Sequence, residues 1–346
     1  MITLDKDQFD EHVLKCATLF FNKSKSLALK SDEDYLHINM KLEDIELFVK
    51  FPIVESEKDI QCIVNAKDFL NVMKIMSGSV RLEVTKDQLN VFTGSNHYSM
   101  ALIDSEFGGF FFDYKLPDNS VKINNQKFEL LRQHVNSPKA EDDSCFVFND
   151  IDGNLIATDH FNFVLLASEC KIQFMLDGML LPFIGKVKEH FELKVNEKLV
   201  CLTNAYFTLI TVNHEPDSIF PINLGAFDVS RYQFVCSFDS SDLRKRFGSM
   251  CSFIGSDNFE KGINWHIDKT NKMTAEGSSK TAKENCYFNN IQREIQVNLD
   301  VKTVDKILFC ADGDVVDMYI NEPVDGKVTI LFLNGDILQA SRGKVL

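Results

Sequence analysis

The stretch Gly153-Asn154-Leu155-Ile156-Ala157-Thr158-Asp159-His160-Phe161-Asn162-Phe163-Val164-Leu165-Leu166-Ala167-Ser168 decides how this chain is read. Two apolar runs, Leu155 to Ala157 and Phe163 to Ala167, flank a short polar turn, the pattern of strand, tight connection and strand. Outward from this hairpin a rhythm repeats: a helix, several alternating strands, then another helix. Phe9, Val13, Cys16, Ala17 and Phe20 fall on one face at helical spacing. Strands follow at Leu36 to Met40 and Ile45 to Val49, then a helix from Ala66 with Asn65 as its cap, then strands at Val80 to Val84 and Leu89 to Phe92. The pattern restarts near Ile123 and again at Tyr232, where Asp239 or Ser240 caps a further helix. The spacing predicts helices near 7–22, 65–77, 124–136, 182–191, 239–250 and 299–310, the fourth opening on Pro182. Three rounds of about 115 residues, each with two helices, form an architectural repeat without residue-level repetition.

Composition bounds the class. A chain of 346 residues with 45% hydrophobic content supports two or three cores. No apolar run reaches the length of a membrane span, and the charged start Met1-Ile2-Thr3-Leu4-Asp5-Lys6-Asp7 is unlike a signal peptide. A soluble, cytoplasmic protein is expected. The nine cysteines are dispersed, with no Cys-x-x-Cys pair, which points to reduced thiols and neither a disulfide framework nor a zinc site. The net charge of −14 argues against a polyanionic partner until the charges are located. Bases cluster on the expected helices: Lys15 with Lys23 just beyond, Lys67 and Lys74, Lys127 and Arg132, Lys186 and Lys188, Arg244 to Arg246, Lys302 and Lys306. Acids concentrate in strands and loops, such as Asp32-Glu33-Asp34 and Glu141-Asp142-Asp143. Any one lysine is explained by solvation of a helix face. Recurrence over six helices suggests one surface for a polyanion and another that repels it.

The wording of the hairpin carries a resemblance. Leu155-Ile156-Ala157-Thr158-Asp159 followed by an apolar run resembles the signature turn of the bacterial sliding clamp, the DNA polymerase III beta subunit. There the turn usually reads Ala-Thr-Asp-Gly-His-Arg-Leu-Ala, whereas His160, Phe161 and Asn162 stand here for Gly, His and Arg. The resemblance extends over nearly the whole chain: Ile63 to Leu70 is similar to the family's strand into the second helix, Glu106-Phe107 to its acidic-Phe pair with Gly108 in place of proline, Leu180-Leu181-Pro182-Phe183 to the start of the fourth helix, Phe220-Pro221 to the Phe-Pro after the second domain, and Val297-Asn298-Leu299-Asp300 to the approach to the sixth helix. The C-terminus departs, ending Leu338-Gln339-Ala340-Ser341-Arg342-Gly343-Lys344-Val345-Leu346 where Met-Pro-Met-Arg is usual. That divergence fits a phage, plasmid or lineage-specific clamp with its own partners.

The resemblance implies an α+β fold of three repeated clamp domains, 1–117, 118–231 and 232–346, each with two helices packed on antiparallel sheets. It implies a head-to-tail homodimeric ring whose helices line a central channel around duplex DNA, held without sequence preference. Lys15, Lys23, Lys74, Arg132, Arg244, Arg246, Lys302 and Lys306 are the expected channel residues. A pocket for short linear motifs of the replicative polymerase and clamp loader would be lined by Thr158, His160, Asn162, Phe163, Phe227, Leu338 and Ala340. Ring closure would use Tyr98 and Met100 on one side and Phe253 and Ile254 on the other, with plain core packing as the competing reading of all four. No catalysis, cofactor, metal or membrane contact is expected.

Other motifs are weaker. Gly277-Ser278-Ser279-Lys280-Thr281 lacks the earlier glycine of a phosphate loop and reads as a hairpin tip. Asp312-Gly313-Asp314 with Asp317 fails the spacing of an EF-hand. The histidines show no His-Glu-x-x-His. Two rival classes are an enzyme whose site is assembled from distant residues, which would show a converging acid, base or nucleophile, and a repeat-built scaffold that never encircles DNA, whose bases would scatter over all faces.

Overall fold

The computed structural model describes residues 1–104, 120–135, 145–158, 162–213, 228–255, 259–308 and 315–346. His160 and Phe227 of the expected pocket, Asp159, Glu106-Phe107-Gly108, Phe220-Pro221 and Asp312-Gly313-Asp314 lie outside these residues. The chain divides into two compact units, one of Met1–Glu129, Phe174–Leu176 and Leu180–His214, the other of Leu130–Gln173, Asp177–Met179 and Glu215–Leu346. The middle third of the sequence is thus shared between the units.

In the first unit, a five-stranded sheet runs in the order Glu55–Ser56, Ile2–Asp5, Ser79–Val84, Gln88–Thr93, Asn96–Ala101. An eight-stranded antiparallel sheet runs Val121–Ile123, Phe191–Val195, Leu199–Thr203, Phe207–Val212, Ile45–Pro52, Tyr35–Leu42, Ser26–Ser31, Gln61–Asn65. Four of its strands come from the middle third, joined to the first third where Phe207 to Thr211 pair with Val49 to Ile45.

The first helix covers residues 6–23 and contains a π-helical turn at Asp10–Leu14. Its apolar stripe buries Phe9, Val13, Cys16, Ala17 and Phe20, as the spacing predicts. Phe21 stacks on Phe69 of helix Ala66–Ile75 at 6.1 Å, and Phe20 meets Phe183 edge-on at 5.3 Å. Asn65 caps Ala66–Ile75 by accepting from the Asp68 amide at 3.0 Å. At the start of the first helix Lys6 is buried, with its ammonium held by Asp10.

The fourth expected helix, 182–191, is corrected to the single turn Leu181–Ile184. Pro182 occupies its first turn as expected. Gly185 lies against the Asn125–His134 helix, where a β-carbon would sit 3.1 Å from Glu129 Cα, and strand Phe191–Val195 follows. The sixth is likewise shorter than 299–310, spanning Val301–Ile307 with Asp300 as cap.

In the second unit, an antiparallel path runs Phe146–Asn149, Asn154–Thr158, Asn162–Ala167, Ile337–Val345, Ile295–Leu299, Phe259–Ile267, Lys272–Gly277, Thr281–Asn285. The decisive hairpin forms as read, with Thr158 paired to Phe163 and Asn154 to Ala167. Gly153 at φ +86° opens it, and a β-carbon there would lie 2.6 Å from the Ser168 carbonyl oxygen. A branch places Lys327–Asn334 beside Ile337–Val345, then Val315–Ile320 and Gln233–Asp239.

Trp265 is fully buried in this unit's core, edge-on to Phe238 at 5.5 Å and to Phe332 at 6.2 Å, with Phe288 at 5.8 Å. Helix Ser240–Ile254 is capped by Asp239, which accepts from the amides of Ser241 at 2.8 Å and Asp242 at 3.0 Å. The Ser241 hydroxyl, then those amides, hold the Asp239 carboxyl below its usual range. Among the described residues every cysteine is free, and no helix is long and apolar enough to cross a membrane.

Candidate functional site

The face built around the hairpin is fixed by register. Strand Asn162–Ala167 lies against Ile337–Val345, with Phe163 opposite Ala340 and Leu165 opposite Leu338. Reading across paired positions, Phe148, Ile156, Leu165, Leu338 and Leu333 form one row. Phe146, Thr158, Phe163, Ala340, Leu331 and Tyr319 form the next. Side chains alternate along a strand, so both rows project from the same side of the sheet.

Ile156, Phe163, Leu331, Leu338 and Ala340 pack as a buried floor. Phe148, Leu165, Tyr319 and Leu333, together with Val229 and Tyr232 from the segment entering Gln233–Asp239, form a half-buried rim. Burial raises the phenol pKa of both Tyr232 and Tyr319, in Tyr319 aided by Asp317. Ala340 is the smallest residue of the floor, paired between Phe163 and Leu331. The rim residues were missed in the sequence, because they are neighbours only through strand pairing across large separations.

Asn162 does not line this face. Strand alternation turns it to the opposite side, where it is buried and accepts from Ser341 Oγ at 3.0 Å. On that side Gln339 Oε1 lies 3.0 Å from His134 Nδ1, and burial holds the His134 pKa below its usual value. The first unit supplies a comparison within the same chain. Where its middle-third strand meets Ile45–Pro52, the corresponding row reads Lys194, Cys201, Ile210, Glu46 and Lys41, with Lys41 and Glu46 ion-paired at 2.8 Å. Charge interrupts this row in the first unit, whereas the rows through Leu338 and Ala340, as far as Leu333 and Tyr319, carry none.

The expected channel cations divide into two groups. Lys15, Lys23, Lys74 and Lys302 are exposed on their helices, and Arg132 and Lys306 are half-buried. Arg244 and Arg246, also expected in the channel, are hydrogen-bonded within the unit. The Arg244 guanidinium donates to the Leu308 carbonyl through Nε at 2.7 Å, closing the C-terminus of Val301–Ile307. Arg246 binds both carboxylate oxygens of Asp242, at 2.8 and 2.9 Å, and its guanidinium lies 5.0 Å from the Tyr287 ring centre. Between them Lys245 is exposed, one turn from the small exposed residues Gly248 and Ser249 and two turns from Ser252. Leu243, Phe247, Met250 and Ile254 bury the opposite side of that helix. That periodicity was available in the sequence and singles out Lys245 as the outward base.

The two sheet edges also resolve. Asn96–Ala101 ends the five-stranded sheet and Thr281–Asn285 ends the path in the second unit. Tyr98 is 38% exposed and Phe253 53% exposed, whereas Met100 and Ile254 belong to the cores of their units and are withdrawn as contact residues. Lys280 donates to the Phe253 carbonyl at 2.7 Å, so Phe253 adjoins the Thr281–Asn285 edge.

A separate polar cleft of about 400 Å³ in the first unit is lined by Lys122, Glu189, His190, Glu192, Thr203, Asn204 and Ala205. Among the described residues no cluster of ligands able to hold a metal occurs.

No protein-family model matches the sequence, and no curated protein is similar enough to match it. Solved structures match over the full chain. A putative DNA polymerase III beta subunit from Eubacterium rectale superimposes with a TM-score of 0.77 at 9% identity, covering 100% of this chain and 98% of its own. The Thermotoga maritima beta subunit gives 0.75 at 11% identity, with the same coverage of the two chains.

This is the sliding-clamp fold.

The Helicobacter pylori beta clamp, solved bound to a DNA ligase peptide, gives 0.71 at 17% identity, covering 100% of this chain and 99% of its own. At such identities the clamp fold is conserved while most surface residues are not, so each site rests on this chain's own side chains.

Proposed function

We propose that this chain is a DNA sliding clamp, a processivity factor that performs no chemistry and works by topology. The observation that carries the reading is the end-to-end match to beta clamps, with neither chain leaving a domain unaccounted for. The three domains would be 1–117, 118–231 and 232–346, and two chains joined head to tail would form a closed ring of six. Lys15, Lys23, Lys74, Lys245 and Lys302 would face DNA phosphates, with Arg132 and Lys306 at the margins. Loose, sequence-independent contacts of that kind suit a ring that must slide. The acidic remainder of the chain would discourage DNA from binding elsewhere.

The apolar face around Phe163, Leu338 and Ala340 would receive short linear motifs from a replicative polymerase and a clamp loader. The peptide-bound Helicobacter pylori clamp supports that use of the fold.

Closure would join the Asn96–Ala101 edge of one chain to the Thr281–Asn285 edge of its partner, with Tyr98 and Phe253 at the junction. Paired edges would also remove two open templates for aggregation. Light scattering tests this. The wild-type mass is expected near twice 39.5 kDa. Tyr98→Asp or Phe253→Asp should shift the protein to monomer at micromolar concentration, because each buries a charge in a small contact. A dimer indifferent to both substitutions would place closure elsewhere.

A further inference from the structure

The face that carries the apolar rows changes character along its strands. One step beyond Ala340 on the same side comes Arg342, paired with Thr329, and one step further Lys344, paired with Lys327. Arg342, Lys327 and Lys344 are all exposed, and none makes an ion pair among the described residues. Alternation puts them on the floor side. Ser341 bonds to Asn162 on the reverse, and a β-carbon at Gly343 would meet Ile330 in the core. Two-residue steps along a strand are about 7 Å, so the three cations begin about 7 Å from Ala340. At the opposite corner the row through Leu333 ends on Asp317, whose carboxylate accepts from Ser237 Oγ at 2.7 Å.

In a chain of net charge −14, three unpaired cations beside an apolar floor, with an acid at the far corner, form a polarised surface. We propose that the partner segment received here is a short peptide whose large apolar anchors pack on the half-buried rim of Leu165, Leu333 and Tyr319, above Phe163, Ala340 and Leu331, and whose adjoining residues are acidic, lying over Arg342, Lys327 and Lys344. The proposal rests on the reading of this face as a peptide site and adds its charge preference and direction. Carboxylates over the cations gain charge-assisted hydrogen bonds. The reversed peptide would bring its acids toward Asp317, so the same charges fix orientation. Arg342 is the principal specificity residue, since it lies nearest the apolar rows along its strand and its fork can hold a carboxylate with two hydrogen bonds.

The test uses the full-length protein and capped, amidated dodecapeptides carrying leucine and phenylalanine anchors followed by Glu-Glu, Gln-Gln or Lys-Lys. A second set places the same pairs before the anchors. Fluorescence polarisation at 50 mM salt should show the Glu-Glu peptide of one set binding about three- to tenfold tighter than its Gln-Gln counterpart. That ratio should shrink at 300 mM salt. Arg342→Gln should bring the ratio close to one, and Arg342→Glu should favour Lys-Lys. Ala340→Arg forces a long cation up through the apolar rows and should abolish every peptide, with circular dichroism confirming that the variant is folded. If the peptides bind and Ala340→Arg abolishes them, but the Glu-Glu to Gln-Gln ratio is one or survives Arg342→Gln, the charge preference is wrong and the peptide site stands. If no peptide binds, or Ala340→Arg has no effect on binding, the site itself is wrong and the proposal falls with it.

Discussion

Reversing Lys15, Lys74, Lys245 and Lys302 to glutamate together should weaken association with duplex DNA by about a hundredfold or more at 0.1 M salt, with a markedly flatter dependence on salt. All four are exposed on helices whose opposite faces are buried. Each phosphate neutralised contributes about 0.9 to the slope of log affinity against log salt. In a closed dimer the four substitutions act twice, so the slope should fall by several units. A second substitution probes a base that is already held. Arg246→Gln should leave DNA association within about twofold, because Asp242 holds that guanidinium through two hydrogen bonds and keeps its fork from phosphates. Binding to nicked plasmid between 50 and 200 mM salt checks both. Equal losses from the quadruple variant and from Arg246→Gln would show that the helix faces have been assigned wrongly.

Trp265→Ala should destabilise the second unit by about 3–5 kcal/mol, the largest effect expected of a single core substitution in this chain. The ring is fully buried and meets three phenylalanine rings within 6.2 Å, so its removal leaves a cavity that the sheet cannot collapse to fill. Trp265→Phe should cost about 2 kcal/mol or less. It keeps an aromatic contact and also removes an indole N–H that has no hydrogen-bond acceptor among its neighbours. As the chain's one tryptophan, Trp265 should emit at short wavelength in the native state and shift to the red on unfolding. Urea denaturation followed by circular dichroism compares the three proteins. A cost below about 1 kcal/mol for Trp265→Ala would mean that this core is not packed as described.

Local signals were legible where chemistry is local. The helical stripe of Phe9 to Phe20, the caps at Asn65 and Asp239, the proline at Pro182 and the hairpin at Asn154 to Ala167 are each specified by residues within a few positions of one another. Strand partnership between thirds of the chain was not legible, since neither Phe207 nor Phe163 carries a mark of the distant strand it joins. That is why the sequence named Phe163, Leu338 and Ala340 only through resemblance, and missed Leu331, Leu333 and Tyr319 altogether.

Smaller errors have equally physical origins. Asn162 was placed on the wrong face because a one-residue step reverses a side chain in a strand. Met100 and Ile254 are large apolar residues at element ends, where sequence pattern does not distinguish core from contact surface. The strands Phe259–Ile267, Lys272–Gly277 and Thr281–Asn285 were passed over although Ile263, Trp265 and Ile267 alternate cleanly, because charged residues dominate the flanking turns. The fourth helix was overextended across Gly185, whose role depends on a neighbouring helix and not on its own segment.

The central claim is that this chain encircles DNA, and topology tests it most directly. The protein is equilibrated with a linear plasmid so that it can thread over the ends, and the ends are ligated to trap it on the circle. The complex is passed through a gel-filtration column at moderate salt, and the retained complex is then cut once with a restriction enzyme. A ring is expected to co-elute with the circular plasmid and to be released when the plasmid is linearised, with release prevented by a bulky protein block at each end. Retention unaffected by linearisation, or no retention on the circle under conditions where the chain is dimeric, would contradict the account.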